Sequence, residues 1–493
     1  MSELKLRITQ YGKQIDELMN SAEIDKLKEF LTELEKFIGE TVNDYPEIYY
    51  YLGTGYGVYS SLLIRNGRAK TDHEVMSSRN KAFRFFRRAL DSIDKSVLND
   101  PRLFYRILTN YANCLDSAGR VIEALRFYRM ILDINPKFSI ARGNYGRALQ
   151  YLANMVNDGG HHNELHCYAY QAYKTAIASE DPEIYEEAKE SFRESADDYE
   201  KSHVADIIKK PIKNKKYSLG NKEESKYRRW CLENHLFLNP LNELQELESA
   251  FAHDPLTITT IVELDRDSRT NSAPPRWFAM LNQLKEEYVY ARYLCYSSLE
   301  SPDKIHMADK EVTLSLGSFD YASYSIRIEQ MKSAFRLLYS MLDQICFFAN
   351  DCWDIGLRER DADAKHLVKK ENYPYDNVAM TSLYWVLSEF YDVFGNDEDP
   401  PEKNMCTLRN AIEHKFVKVL SFGEDDKTLS IKDDQFYHIT EDQLKNNTLR
   451  LLRLVRESLM YLVYAVGINE SQKGKLDKCI SLNIQDYPDE LKR

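Results

Sequence analysis

Helix-breaking residues are sparse in this chain. Its 493 residues hold 18 Gly and 14 Pro, and residues 320–352 pass without either. Where punctuation is rare, a chain is built from long elements. The apolar residues recur three and four positions apart, the period of a helix buried along one face. An all-α protein is therefore expected. With 43% hydrophobic and 29% charged residues, the composition is that of an ordinary globular protein, and extensive disorder is not expected. At roughly 100–200 residues per domain, the length allows two to four domains.

The first 200 residues carry a loose internal repeat. Its clearest unit is TNYANCLDSAGRVIEALRFYRMILDINPKF (109–138). Gly119 sits where the chain must turn, Ala124 lets two helices approach closely, and Pro136 closes the second helix. Ala112, Ala124, Tyr128 and Pro136 resemble the spacing of a tetratricopeptide repeat, whose period is about 34 residues. A weaker copy upstream joins YYYLGTGYGVYSSLL (49–63) to NKAFRFFRRALDSID (80–94), with Gly53, Tyr56, Ala82, Phe86 and Ala89 in the matching places. Another downstream joins ARGNYGRALQYLANM (141–155) to HCYAYQAYKTAIASEDP (166–182), with Gly146, Ala169, Tyr173 and Pro182 in register. Three such pairs are about the minimum for a self-supporting stack. Stacks of this kind hold peptides or partner proteins, and the alternative is a scaffold without a ligand.

The charged run EEAKESFRESADDYEK (186–201) reads as a boundary, and KKPIKNKK (209–216) reads as a solvated linker. YRRWCLENHLFLNPLNEL (227–244) then suggests a docking segment: Trp230, Leu236, Phe237 and Leu238 are apolar, while Asn239 and Asn242 mark a turn. Pro274-Pro275 precedes a helix over 276–299. Further on, long helical patterns cover about 320–352, 377–394 and 403–419. Residues 417–440 alternate briefly, as a small β-hairpin or loop insertion would. Thr440 and Gln443 read as a capping box opening a last helix. Four helices with one excursion make a bundle. The expected organisation is repeats over 1–200, linker and docking segment over 201–305, bundle over 306–475 and a tail over 476–493.

Several function classes fall away. The eight cysteines form no C-x-x-C pair, as expected for reduced thiols in a cytoplasmic protein. The N-terminus reads as an amphipathic helix and not a signal peptide, and no run is long and apolar enough to span a membrane. A net charge of −12 argues against a broad nucleic-acid-binding surface and confines any such contact to a cleft. GGHHNELHCY (159–168) sets His162 and His166 four apart, with His161 and Glu164 nearby. The order H-x-E-x-H turns Glu164 away from the face the two imidazoles share, so it is a poor zinc-hydrolase motif.

One stretch carries chemistry: LRNAIEHKF (408–416). Arg409 supplies a fixed charge and a planar fork suited to phosphate. His414 supplies a side chain that exchanges protons near neutral pH. Asn410 shares a helical face with His414, whereas Arg409 and His414 lie about 140° apart at 3.6 residues per turn. They converge on one phosphate if Arg409 sits at a frayed helix start, or if two copies of the helix meet across a two-fold axis. Spacing alone is weak evidence, since Arg68 and His73 repeat it in a turn of the repeat region.

With its helical context, this stretch resembles the motif of HEPN domains (higher eukaryotes and prokaryotes nucleotide-binding), and YRRWCLENHLFLNPLNEL resembles the opening segment of a bacterial subfamily. The resemblance covers roughly residues 227–470. It maps the family's Arg–polar–x3–His motif onto Arg409, Asn410 and His414. It implies a metal-independent endoribonuclease without a cofactor, acting as a homodimer on RNA such as tRNA or other single-stranded regions. It leaves 2′,3′-cyclic phosphate and 5′-hydroxyl ends, in a toxin, antiviral or RNA-processing setting. Silent members that only bind RNA or partners are the alternative. The family also places a polar residue on the long helix near the motif. Asp343 and Asn350, seven apart on one face, are the candidates to orient His414 or Asn410, and Glu413 either faces outward or tunes His414.

Overall fold

The computed structural model describes residues 3–40, 45–93, 101–181, 184–202, 204–209, 217–245, 248–258, 276–299, 305–314, 322–391, 393, 403–421 and 435–473. The Pro274-Pro275 break, Pro182, the 476–493 tail and all of KKPIKNKK but Lys209 lie outside the described residues. The chain divides into two compact units. One is Met1–Lys213 with Glu243–Gln245; the other is Asn214–Asn242 with Glu246–Arg493.

The first unit comprises α1 (Glu3–Ser21), α2 (Ile24–Glu40), α3 (Pro46–Arg65), α4 (His73–Asp91), α5 (Arg102–Ser117), α6 (Val121–Ile134), α7 (Ser139–Met155), α8 (Gly159–Ala178), α9 (Glu186–Lys201) and α10 (Ala205–Ile208). Helices α3 and α4, α5 and α6, and α7 and α8 pack as successive pairs, and each pair packs on the next, as helical repeats do. Gly119 turns the chain between α5 and α6 at φ +86°, a conformation that disfavours a side chain. Gly53 allows the Phe86 ring to lie against the backbone of α3; a Cβ there would come within 2.9 Å of it. Ala112, Ala124 and Tyr128 are fully buried, and the Tyr128 hydroxyl donates to Asn113 Oδ1 at 2.6 Å. The charged run at 186–201 is a helix of this unit instead of a boundary. Phe192, Ala196 and Tyr199 recur at helical spacing and are buried, and α9 packs on α8, which leaves the charges for the outer face. Of the R-x4-H pair at 68–73, Arg68 is used in the fold: it pairs with Asp72 at 3.1 Å and with Glu74 at 3.4 Å.

The second unit contains α11 (Lys222–Glu233), α12 (Arg276–Leu299), α13 (Met307–Lys310), α14 (Ile326–Trp353), α15 (Ala364–Leu367), α16 (Val378–Leu387), α17 (Lys403–His414), β1 (Phe416–Leu420), β2 (Phe436–Thr440) and α18 (Glu441–Gln472). Helices α12, α14, α16 and α18 form a bundle, with α18 packed on each of the other three. α12 lies within the expected docking segment, yet Leu281, Leu284, Tyr288, Ala291 and Cys295 bury it against α14 and α18. α17 lies on α14.

The asparagines at 239 and 242 are buried anchors. Asn242 accepts from the Phe237 N–H and donates to the Leu232 carbonyl; Asn239 accepts from the Leu241 N–H and donates to the Phe251 carbonyl. Arg456 of α18 donates to the carbonyls of Phe237 and Asn239, at 2.6 and 3.0 Å. Arg292 of α12 forks onto Asp254 at 2.9 and 2.8 Å and also donates to the Leu236 carbonyl. An irregular apolar segment is thus tied into the bundle through its backbone, the requirement for burying a loop.

The insertion corrects one expectation. β1 and β2 pair in parallel, Phe416 opposite Phe436 through Leu420 opposite Thr440, so they are not a hairpin. Parallel pairing needs a connection long enough to return the chain to its starting end, and residues 421–435 provide it. The Thr440–Gln443 capping box is formed at the start of α18.

Candidate active site

α17 ends at His414, and β1 begins two residues later. The helix was expected to run to about 419. It stops because Phe416, Val417 and Val419, aromatic and β-branched, pair with β2 and bury Val419 against the bundle. Arg409 therefore lies in the middle of a regular helix, not at a frayed start, and that route to bringing Arg409 and His414 together within one chain is removed.

Along α17, Cys406, Arg409 and Glu413 share the face toward α14. The Arg409 guanidinium lies over the Tyr339 ring at 5.6 Å and donates to Asn410 Oδ1 at 3.1 Å. Tyr339 is itself held: its hydroxyl donates to Cys406 Sγ at 3.3 Å, and its ring meets Phe390 edge-on at 5.8 Å. Cys406 in turn donates to the Phe390 carbonyl at 3.1 Å. Glu413 comes within 3.9 Å of Arg336 of α14. It therefore leans toward α14.

Asp343 lies one turn beyond Tyr339 on α14. Burial pushes its carboxyl up to about 6, the Asp363 carboxylate adds to the rise, and the Ala364 N–H and the Arg409 guanidinium pull it back. Of the motif residues, Arg409 is the one whose charge reaches Asp343. Asn350 is not brought to the site. Its amide donates to the Leu357 carbonyl at 3.0 Å and accepts from the Leu357 N–H at 2.8 Å, closing the turn after α14. Asp354 in that turn takes the left-handed conformation, φ +47°.

Asn410 and His414 are exposed. Among the described residues His414 makes no hydrogen bond or ion pair, and it stands exposed at the junction of α17 and β1. Tyr339, Cys406 and Arg336 were missed by sequence reasoning. The signal for the first two was a buried aromatic on the long helix and a cysteine three residues before Arg409.

The histidines of α8 are set apart from this. His162 and His166 stack edge-on at 4.4 Å, with Nδ1 of His162 on the Ala153 carbonyl at 2.9 Å and Nδ1 of His166 on the Tyr199 hydroxyl at 2.8 Å. Among the described residues no group of three or more His, Cys, Asp or Glu side chains is placed to hold a metal ion. No described cysteine is in a disulfide, and no described helix is long and apolar enough to cross a membrane.

The second unit is thus a helical bundle that carries an Arg and a His on one short helix beside a two-stranded insertion. Residues 268–469 match the family model for LA2681-like HEPN domains, and this part of the chain is a HEPN domain. No curated protein and no solved structure matches the chain. HEPN domains are often ribonucleases, commonly bind RNA and commonly dimerise, which supports RNA- or nucleotide-directed activity in general terms.

Proposed function

We propose that the HEPN domain is a metal-independent endoribonuclease, working as a dimer. His414 takes the proton of a ribose 2′-hydroxyl; the oxygen attacks the adjacent phosphorus, the bond to the 5′ oxygen breaks, and that oxygen leaves as a hydroxyl. Arg409 balances the charge that grows on the phosphoryl oxygens. The products are a 2′,3′-cyclic phosphate and a 5′-hydroxyl, so an imidazole and a guanidinium suffice. The observation that carries this reading is Arg409 itself. It sits in the Arg–Asn–x3–His motif of a matched HEPN region, with its guanidinium held over the face of Tyr339. Asn410 steadies the guanidinium from its own helix.

Unchecked RNA cleavage harms the cell that makes the enzyme. The helical repeats are the sensor or partner-binding arm that restrains it, as suits a toxin or an antiviral or stress effector in the cytoplasm. The divergence of Arg409 and His414 on one helix favours a second reading for an isolated copy, a silent bundle that only binds RNA or a protein. The test is cleavage of total tRNA and of a single-stranded RNA in EDTA by the wild-type chain and by His414→Ala, with the product ends mapped. Cleavage by the wild type alone, leaving cyclic phosphates, is the expected result. Equal cleavage by both removes His414 from the chemistry.

A further inference from the structure

Beside His414 the chain displays a surface that the fold does not require. The ribbon has two faces, because side chains alternate along a strand and paired residues point the same way. One face carries Val419 and Ile439, 2% and 4% exposed, and belongs to the core. The other carries Phe416 and Lys418 on β1 opposite Phe436 and His438 on β2. Phe416 is 71% exposed, among the most exposed large apolar side chains described. Its ring lies 5.6 Å from that of Phe436, and the Lys418 ammonium sits 4.2 Å over the Phe436 ring. His438 is exposed across from Lys418, and the exposed Lys415 separates this face from His414.

We propose that this face of the ribbon is the platform on which single-stranded RNA is laid for cutting. The proposal rests on reading the HEPN domain as a ribonuclease, and it says where the substrate lies. Aromatic faces stack on any base, and cations between them meet the phosphates; alternation of the two is the pattern of sequence-tolerant single-strand binding. Charge complementarity favours RNA over a protein partner here. In a chain of net charge −12, this face with Lys415 gathers two lysines and a histidine next to His414. A nucleotide stacked on Phe416 would leave its neighbour two residues' length of strand away, at His414.

The experiment uses the full chain carrying His414→Ala, so that RNA stays intact, and a short fluorescent oligouridylate read by anisotropy over a range of salt. Adding Phe416→Ala is expected to weaken binding by about tenfold, and Phe416→Trp to retain it. Lys418→Ala is expected to flatten the dependence of log affinity on log salt by about 0.7, one phosphate contact on a single strand. Unchanged affinity in Phe416→Ala overturns the proposal, as does no binding by the His414→Ala parent. A loss of dimer in sedimentation with affinity unchanged assigns the face to a second copy and overturns it too. Because the readout is binding, it stands apart from cleavage. A wild-type chain that binds through Phe416 but does not cut would sink the ribonuclease reading alone, and one that cuts while Phe416→Ala binds normally would sink the platform alone.

Discussion

A carboxyl whose folded form titrates near pH 6 is a source of strain at neutral pH. Asp343 binds its proton more tightly in the folded chain, at about 6, than in the unfolded chain, where an aspartate titrates near about 3.9. Above both values the group is ionised in both states, and burial of its charge weakens the fold. As pH falls through about 6 the folded state takes up the proton first, and stability rises until the unfolded chain is protonated too, near about pH 4. Asp343→Asn should therefore stabilise the second unit by about 1–3 kcal/mol near pH 7.5, and the gain should vanish near pH 4. Trp230, Trp277, Trp353 and Trp385 all lie in that unit, so tryptophan fluorescence during urea unfolding reports it alone. The same variant tests whether the Asp343 charge acts on Arg409 within the proposed site, and slower RNA cleavage is the expected result. Stabilisation without any loss of cleavage would leave Asp343 with no part in the site.

At the scale of elements, the bundle depends on an irregular segment pinned from two helices. Arg292 is nearly fully buried, and its fork onto Asp254 is the contact that keeps it from being an unpaired charge in the core. Burial alone would raise the Asp254 carboxyl, yet Arg292 holds it below its ordinary value. This stability is present above the unfolded value near about 3.9 and is lost as pH falls through the depressed folded value. Asp254→Ala strands the guanidinium and should destabilise the second unit by about 3–5 kcal/mol, read from the same tryptophan transition; a shift under about 1 kcal/mol would mean the pair is dispensable. Such pairs are hard to foresee. Gly119 and the Thr440–Gln443 box were legible because each acts within a few residues of itself, whereas the sequence showed Asn239 and Asn242 only as turn residues and not as anchors reaching Phe251 and Leu232. The bundle helices were legible because their period repeats over many turns. The Arg292–Asp254 fork joins positions 38 residues apart, and nothing local announces it. The same limit hid the parallel direction of the ribbon and the end of α17 at His414, both set by pairing with a strand some twenty residues away. In the candidate site, the sequence points to Arg409, Asn410 and His414, whereas the packing of Arg409 on Tyr339 and of Tyr339 on Cys406 depends on how α17 lies on α14.

For the whole molecule, the decisive fact is that Arg409 faces α14 while His414 faces solvent, about 140° apart on a helix that is regular between them. One copy does not aim both at the same phosphate. The proposed dimer, if built on a two-fold axis through this region, would do so twice, each site taking Arg409 from one copy and His414 from the other. That arrangement predicts complementation. Arg409→Ala and His414→Ala are each inactive as pure dimers, since every site lacks one group. Mixed in equal amounts and allowed to exchange, half of the dimers pair one variant with the other. Each of those has one site missing both groups and one site with both. Cleavage should then return to about a quarter of the wild-type rate at equal total protein. The check is a titration of one variant into the other, followed by cleavage of a labelled RNA and by sedimentation. A peak at the equal mixture with dimers present establishes shared sites. Dimers that exchange and stay inactive would mean that each site draws both groups from one chain, which requires α17 to unwind near its end when RNA binds. Under the proposed function, shared sites would exist only in the dimer, so control of assembly would be control of cleavage.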